Sequence, residues 1–264
     1  MNETLQLLMG RRSVRAYDGR PIDPKAHDQI IAAAIRAPTA GNMMLYSIIE
    51  VDSQEAKDKL AVSCDDQPFI AKAPLVLLFL ADYQRLHDYH LRCGMEESCR
   101  RRGAALQRPE EGDLFLACCD ALIAAQTSVI AAEALGIGSC YIGDIIENYE
   151  MHRDLFGLPP YTFPICLLCY GYPLAADRAR PLSKRFDREF IVFRDRYHRL
   201  GPEEFDRMYS DRASGPPPIP GSPARPGQVR TPGEANYTYR FTSQFAAELR
   251  RSVRVMLATW ARQG

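Results

Sequence analysis

Arg11, Arg12 and Arg15 fall within five positions of one another, with Ser13 among them, in a chain whose 33 basic residues are balanced by 33 acidic ones. With no global basic field behind it, such a cluster reads as a local anion site. Guanidinium forks meet phosphate or carboxylate oxygens bidentately and never lose their charge, and a serine hydroxyl adds a further donor. Other polar stretches compete for chemistry: "PTAGN" at 38–42, Gln67 in "DDQPF", the glycine-rich "GIGSCYIG" at 136–143, and the basic "RARPLSKRFDR" at 178–188.

The glycine-rich stretch has the outline of a dinucleotide fingerprint, but Tyr141 takes the third glycine's place and the stretch follows a helical run instead of a strand. A Rossmann reading therefore fails. Two readings stay open: a turn whose glycines bring backbone amides up to a flat ligand, or a helix cap at Gly136 entering a strand. His87, His90 and Cys93 recur every three residues, a geometry that can bind zinc. Their charged surroundings favour a solvated excursion with incidental histidines, and no metal is expected. Cys166 and Cys169 have the spacing of a redox pair but lie in an apolar strand, where residues i and i+3 face opposite ways. No Gly-x-Ser-x-Gly elbow, Walker loop or cysteine quartet supports a hydrolase, nucleotidase or zinc module.

The elements that must hold these residues are legible in outline. A chain of 264 residues, 46% hydrophobic, can bury a sizeable core as one large or two small domains. Balanced charge removes the driving force for nucleic acid or an anionic membrane. The charge-free apolar run Ala121 to Ala132 falls short of the ~20 residues of a membrane span, and no amino-terminal segment has a signal peptide's apolar core. A cytoplasmic protein without membrane or nucleic-acid partners follows, its eight cysteines reduced and mostly buried. Leu5, Leu8 and Met9 give a first helix stopping at Gly10; Asp23 and Pro24 cap and open a second, which Pro38 ends. "LYSIIEV", "PLVLLFLAD" and "FPICLLCYG" read as buried strands, with a shorter "IVF" at 191–193. Asp113 to Gly136 is apolar on nearly every face, which predicts a helix buried all round, either at the domain's centre or in a subunit interface. Residues 201–236 read as an extended Pro/Gly-rich linker. It delivers a helix with Phe245, Leu249, Val253, Leu257 and Trp260 on one stripe, and an arm of about 35 residues can reach a neighbouring subunit. The domain division expected is 1–200 and 201–264.

Taken in order, Arg-Arg-Ser-x-Arg, then Ala-Pro-Thr-Ala-Gly-Asn, then Gly-Ile-Gly-Ser-Cys-Tyr-Ile-Gly after a long apolar helix, then a basic pair, resemble the FMN-dependent nitroreductase family over roughly residues 3 to 198. The resemblance implies an α+β fold, a central, mostly antiparallel sheet flanked by helices, here with a carboxyl-terminal extended arm and helix. It implies FMN as cofactor, with Arg11, Arg12 and Ser13 at the phosphate and Arg15 and Gln67 at the pyrimidine edge. Pro38, Thr39, Ala40, Gly41 and Asn42 would come from the partner of a homodimer, and Tyr141, Ile142, Gly143 and Asp144 would pack on the flavin face. The family's closing Lys-x-Arg is missing, and counting back from Ile191 points to Lys184 and Arg185 instead of Arg178 and Arg180. The implied reaction passes hydride from NAD(P)H to nitroaromatics, quinones or flavins by a ping-pong scheme, with no side chain as acid or base. Arginines of 84–112 and of the arm point to NADPH. A dehalogenating or flavin-fragmenting relative, or a flavin-binding sensor, are the alternatives.

Overall fold

The computed structural model describes residues 1–211 and 231–261, the side chain of Arg178 excepted. They fall into two compact units, one of Met1–Arg180 with the chain from Arg251 onward, the other of Pro181–Arg250.

The first unit opens with α1 (Glu3–Gly10), capped by the Asn2 side chain on Leu5 N at 2.9 Å. Next comes α2 (Pro24–Ile35), where Asp23 accepts from Lys25 N and Ala26 N. Strand β1 (Tyr46–Glu50), α3 (Gln54–Ser63) and β2 (Leu75–Asp82) lead to the short helices α4 (Gln84–Arg92) and α5 (Met95–Arg101). The long α6 (Glu111–Ala134) is followed by β3 (Gly138–Ile142), α7 (Tyr149–Phe156), β4 (Thr162–Gly171) and α8 (Ala175–Ala179). The four strands form one antiparallel sheet in the order β1-β2-β4-β3. "IVF" is not among them: the chain turns through Arg188–Phe190 and leaves Ile191 59% and Val192 52% exposed. Three apolar residues without a pairing edge do not make a strand.

Alternation along the strands builds two cores. Leu75, Leu77 and Phe79 face α2 and α6 together with Cys166, Leu168 and Tyr170, while Val76, Leu78 and Leu80 face α3 together with Leu167 and Cys169. Cys166 and Cys169 thus stand on opposite faces, and all eight cysteines are free. Pro164 sits where the β2/β4 register shifts between Phe79 and Leu80, since a bulge is where a strand tolerates a residue without an N–H.

Helix α6 is less enclosed than its composition predicts. Ala117, Ala121, Ala124, Ala125 and Val129 are buried, but Phe115 is 71% exposed and Leu116, Leu122 and Ile123 lie outside as well. With 24 residues, α6 is also long and apolar enough to cross a membrane by length and composition alone, yet its Asp120 is buried inside the protein. The apolar excess forms an outward stripe.

In the second unit, part of the expected linker is folded. Helices α9 (Pro202–Tyr209) and α10 (Pro232–Asn236) flank residues 212–230, which lie outside the described residues. Each starts with proline in its first turn, where the missing N–H costs nothing. The Glu204 carboxylate accepts from Gly201 N at 2.7 Å, and the Thr231 hydroxyl accepts from Glu234 N at 3.1 Å. Prolines that signal a linker by composition here open helices. The last helix, α11 (Gln244–Ala261), runs from the second unit into the first. Its buried side chains are Ala246, Ser252, Met256 and Trp260: Trp260 is buried as the predicted stripe has it, while Ser252 and Met256 are buried in place of their neighbours Val253 and Leu257, which stay exposed. Two polar anchors set that face: Ser252 Oγ accepts from Tyr149 N at 3.2 Å, and Trp260 Nε1 donates to Glu110 O at 3.0 Å.

Candidate cofactor site

The arginine segment is held against the sheet edge by an isolated bridge. Ser13 bridges Ser139 in parallel, and Val14 N donates to Ser139 O at 2.9 Å. The fit needs Gly138: a Cβ there would lie 2.4 Å from Val14 Cγ2, and one at Gly171 would lie 2.5 Å from the Tyr17 ring. The glycine-rich stretch is therefore a helix end, with Gly136 at φ 73°, leading into a strand on which the arginine segment rests. A Cβ at Gly143, by contrast with one at Gly138, would meet open space.

An extended backbone sends alternate side chains to opposite sides, and this sorts the cluster. Arg11, Ser13 and Arg15 share the side of Cys140: both arginines favour its thiolate and Ser13 hydrogen-bonds it, against a burial that pushes the thiol up. Arg11 also acts on Tyr141, whose phenol burial holds above its ordinary range. Arg12 goes the other way. It lines a cavity of about 230 Å³ with Val14 and Glu133, and its guanidinium donates to the carbonyls of Asp177 and Arg180. Arg180 in turn donates to Ser13 O at 2.8 Å. Of the basic residues after the last strand, Arg180 is thus placed against the arginine segment. Lys184 and Arg185 belong to the second unit, where Lys184 pairs with Asp211 at 2.8 Å and Arg185 donates to Ser183 O at 3.1 Å.

Beside Arg15, whose guanidinium lies 5.9 Å from the Phe69 ring centre, Gln67 Nε2 donates to Asp144 Oδ2 at 2.7 Å and to Cys64 O at 2.8 Å. Burial raises the Asp144 carboxyl above the ordinary range, against the Gln67 hydrogen bond and the Arg15 charge. The 3-10 turn Asp144–Ile146 is fixed from behind by His152, whose Nδ1 donates to Ile145 O at 2.9 Å while Nε2 accepts from Ser63 Oγ at 2.8 Å. Desolvation holds that imidazole below its usual pKa, which favours the neutral ring, and the Ile145 carbonyl, an acceptor only, puts its proton on Nδ1. One chain thus brings Arg11, Ser13, Arg15, Gln67, Tyr141, Ile142, Gly143 and Asp144 to the β3 edge.

The turn at 38–42 is elsewhere. It precedes β1, at the opposite edge of the sheet, three inter-strand spacings or ~14 Å from β3. Its organiser is Asp120, 2% exposed, which takes the Thr39 hydroxyl and accepts from Ala40 N and Leu45 N, each at 3.0 Å. Thr39 Oγ1 then accepts from Met44 N at 2.8 Å. Gly41, Asn42 and Met44 all have positive φ, a tight conformation that the buried carboxylate holds in place. Sequence reasoning passed over Asp120. Its one signal was a carboxylate in the middle of an otherwise apolar helix, where it must be satisfied by buried donors.

Among the described residues no group of three His, Cys, Asp or Glu is placed to hold a metal. His87 and His90 share a cavity with Cys99, and Cys93 is not part of its lining.

Comparison with known proteins agrees with this arrangement. The model of the nitroreductase family matches residues 8–172. An FMN reductase [NAD(P)H] of Bacillus subtilis is 32% identical over 206 residues, 75% of either chain. An oxygen-insensitive NADPH nitroreductase of Salmonella typhimurium is 31% identical over 76% of this chain and 77% of its own. A solved putative oxidoreductase from Bacteroides fragilis superposes with a TM-score of 0.77 at 27% identity over 98% of both chains. The arginine segment on β3, the Asp120-held turn and the antiparallel sheet all lie within the matched span or its immediate frame, and the chain belongs to the nitroreductase family.

Proposed function

We propose that this protein is an FMN-dependent oxidoreductase that takes hydride from NAD(P)H and passes it to electron-poor acceptors, and that it works as a homodimer. The observation that carries the reading is Arg11: one of its terminal nitrogens is buried without a hydrogen-bond partner among the described residues, on the side it shares with Ser13 and Arg15. A buried guanidinium N–H left unmade costs about 1–3 kcal/mol. An anion, the phosphate of FMN, supplies what it lacks, so the residues present fit that group. Bound FMN supplies a two-electron carrier that accepts and returns hydride.

The chain's own contribution is binding, orientation and charge. Arg11 and Ser13 hold the phosphate. Arg15 places positive charge where the reduced pyrimidine edge gains negative charge, a preorganised electrostatic effect. Gln67 and Asp144 fix that edge by hydrogen bonding, and Gly143 leaves the backbone open for close approach. Arg12 and Arg180 brace the Ser13 backbone. Pro38 to Asn42 of one chain complete the site of its partner, since within one chain they stand at the far sheet edge. The outward apolar stripe of α6 gives such a pair of chains a surface to bury. Residues 1–200 form the cofactor-binding part, and the segment from 201 onward adds to it.

Donor and acceptor bind in turn at one place, so kinetics should be ping-pong. The reading is tested by the visible spectrum of the purified protein and by NAD(P)H oxidation with a quinone or nitroaromatic. A yellow protein with parallel double-reciprocal lines is expected, and a colourless protein that FMN does not reconstitute would overturn it.

A further inference from the structure

We propose that His152, fully buried on α7 behind the cofactor site, is a positioning residue of the flavin reaction: it fixes the turn at the flavin face and so sets how readily bound FMN is reduced. The proposal rests on the oxidoreductase reading above. The imidazole joins two elements that carry cofactor residues. Nδ1 donates to Ile145 O at 2.9 Å, in the turn that follows Gly143, and Nε2 accepts from Ser63 Oγ at 2.8 Å, at the end of α3 four residues before Gln67. Beside it Asn148 Nδ2 donates to Ser63 O at 2.9 Å, and Gln67 Nε2 closes the circuit on Asp144 Oδ2 at 2.7 Å. Within the turn, Ile146 N donates to Gly143 O at 3.1 Å and Glu147 N to Asp144 O at 3.0 Å. A buried ring with both nitrogens engaged acts as a rigid spacer between the two elements. Its helix is a fixed platform: Tyr149 N donates to Ser252 Oγ at 3.2 Å, and Arg251 grips Glu150 with two hydrogen bonds of 2.7 and 2.8 Å.

What this circuit controls is charge. Arg15 and Asp144 act on each other electrostatically, and the Gln67 hydrogen bond holds the carboxylate in place. Reduction adds negative charge at the pyrimidine edge, where the Arg15 guanidinium stabilises it. With the turn fixed, Asp144 stays on Gln67 and the guanidinium remains available to that edge. With the turn free to shift, the carboxylate competes for the same guanidinium. The ring of oxidised FMN carries no charge there, so the change falls on reduced FMN far more than on oxidised FMN.

The test uses the full-length, FMN-loaded protein and its His152→Phe, His152→Asn and Arg251→Ala variants. Phenylalanine keeps a ring and makes neither hydrogen bond. Asparagine places an amide nitrogen near the Nδ1 position and keeps the bond to Ile145, while Arg251→Ala cuts the pair that holds α7 without touching the imidazole. His152→Phe should weaken the binding of reduced relative to oxidised FMN roughly tenfold, a fall of about 30 mV in midpoint potential. It should slow the reduction of bound FMN by NAD(P)H while moving KM less than about twofold. His152→Asn should recover most of both. Arg251→Ala should lower the melting temperature and leave the potential unchanged. If His152→Phe does not fold, Ser63→Ala removes the Nε2 bond alone and should shift the potential in the same direction by less. An unchanged potential in the folded variant overturns the proposal, as does a shift that Arg251→Ala reproduces or that His152→Asn does not relieve. A wild type that binds no FMN would instead sink the cofactor reading, a result seen before any variant is measured.

Discussion

At the scale of single residues, side-chain direction decides which of several like charges takes part. Arg11, Arg12 and Arg15 look equivalent in the sequence, and the motif names all three. The extended backbone turns Arg12 toward the carbonyls of Asp177 and Arg180 and leaves Arg11 with a buried nitrogen that has no partner among the described residues. Replacing Arg11 with Ala should weaken FMN binding by about 1–3 kcal/mol, the scale of a lost charge-assisted hydrogen bond. Arg12→Ala should act mainly on thermal stability. A fluorescence titration beside a melting curve distinguishes the two, and equal FMN affinity in wild type and Arg11→Ala would remove Arg11 from the phosphate. Asp144 offers a pH test. Its carboxyl is raised in the folded state, chiefly by burial. Between the unfolded and folded pKa values the folded state keeps a proton that the unfolded chain has released, so stability falls as pH rises through that window. Asp144→Asn keeps an acceptor for Gln67 and removes the charge. It should raise the melting temperature at pH 7, with the gain fading as pH falls toward about 4, the ordinary carboxyl range. A gain independent of pH would mean that the burial cost is not electrostatic.

At the scale of elements, the sequence showed what repeats and hid what depends on a partner. Strands β1, β2 and β4, both amino-terminal helices and the span of α6 were legible because apolar period and capping residues are local signals. Whether Gly136 to Gly143 is a ligand turn or a strand entrance was not legible. The answer lies in Val14, more than a hundred residues away, whose side chain occupies the space beside Gly138. The same holds for Asp120, whose role is set by backbone N–H groups of a distant turn, and for α11, where Trp260 of the apolar stripe is buried against Glu110 but Ser252, bonded to Tyr149, is buried in place of Val253. Trp260 lies edge-on to Tyr161 at 5.2 Å and tilted against Phe163 at 5.3 Å. Trp260→Ala should cost about 3–5 kcal/mol in chemical denaturation, the range for a fully buried aromatic. A cost under about 1 kcal/mol would show that the end of α11 adds little to the core.

At the scale of the whole molecule, the arginine segment and the 38–42 turn stand at opposite edges of one sheet, and α6 carries an exposed apolar stripe. Phe115 is 71% exposed on that stripe, and a contiguous exposed apolar patch marks a surface for a partner. Phe115→Glu should leave the chain folded by circular dichroism and shift it from dimer to monomer in sedimentation, with loss of flavin. An unchanged dimer would place the interface elsewhere. The central claim is that each cofactor site is shared, with Arg11 from one chain and the Thr39 to Asn42 turn from the other. It is tested most directly in a mixed dimer of an Arg11→Ala chain and a Thr39→Ala chain, purified by two different tags and titrated with FMN. Each variant homodimer should bind FMN weakly at both sites. The mixed dimer should regain one site of wild-type affinity, built from the two unaltered halves, and leave the other doubly impaired. A mixed dimer with two equally weakened sites and no restored one would contradict the shared site, because each chain would then be building its own.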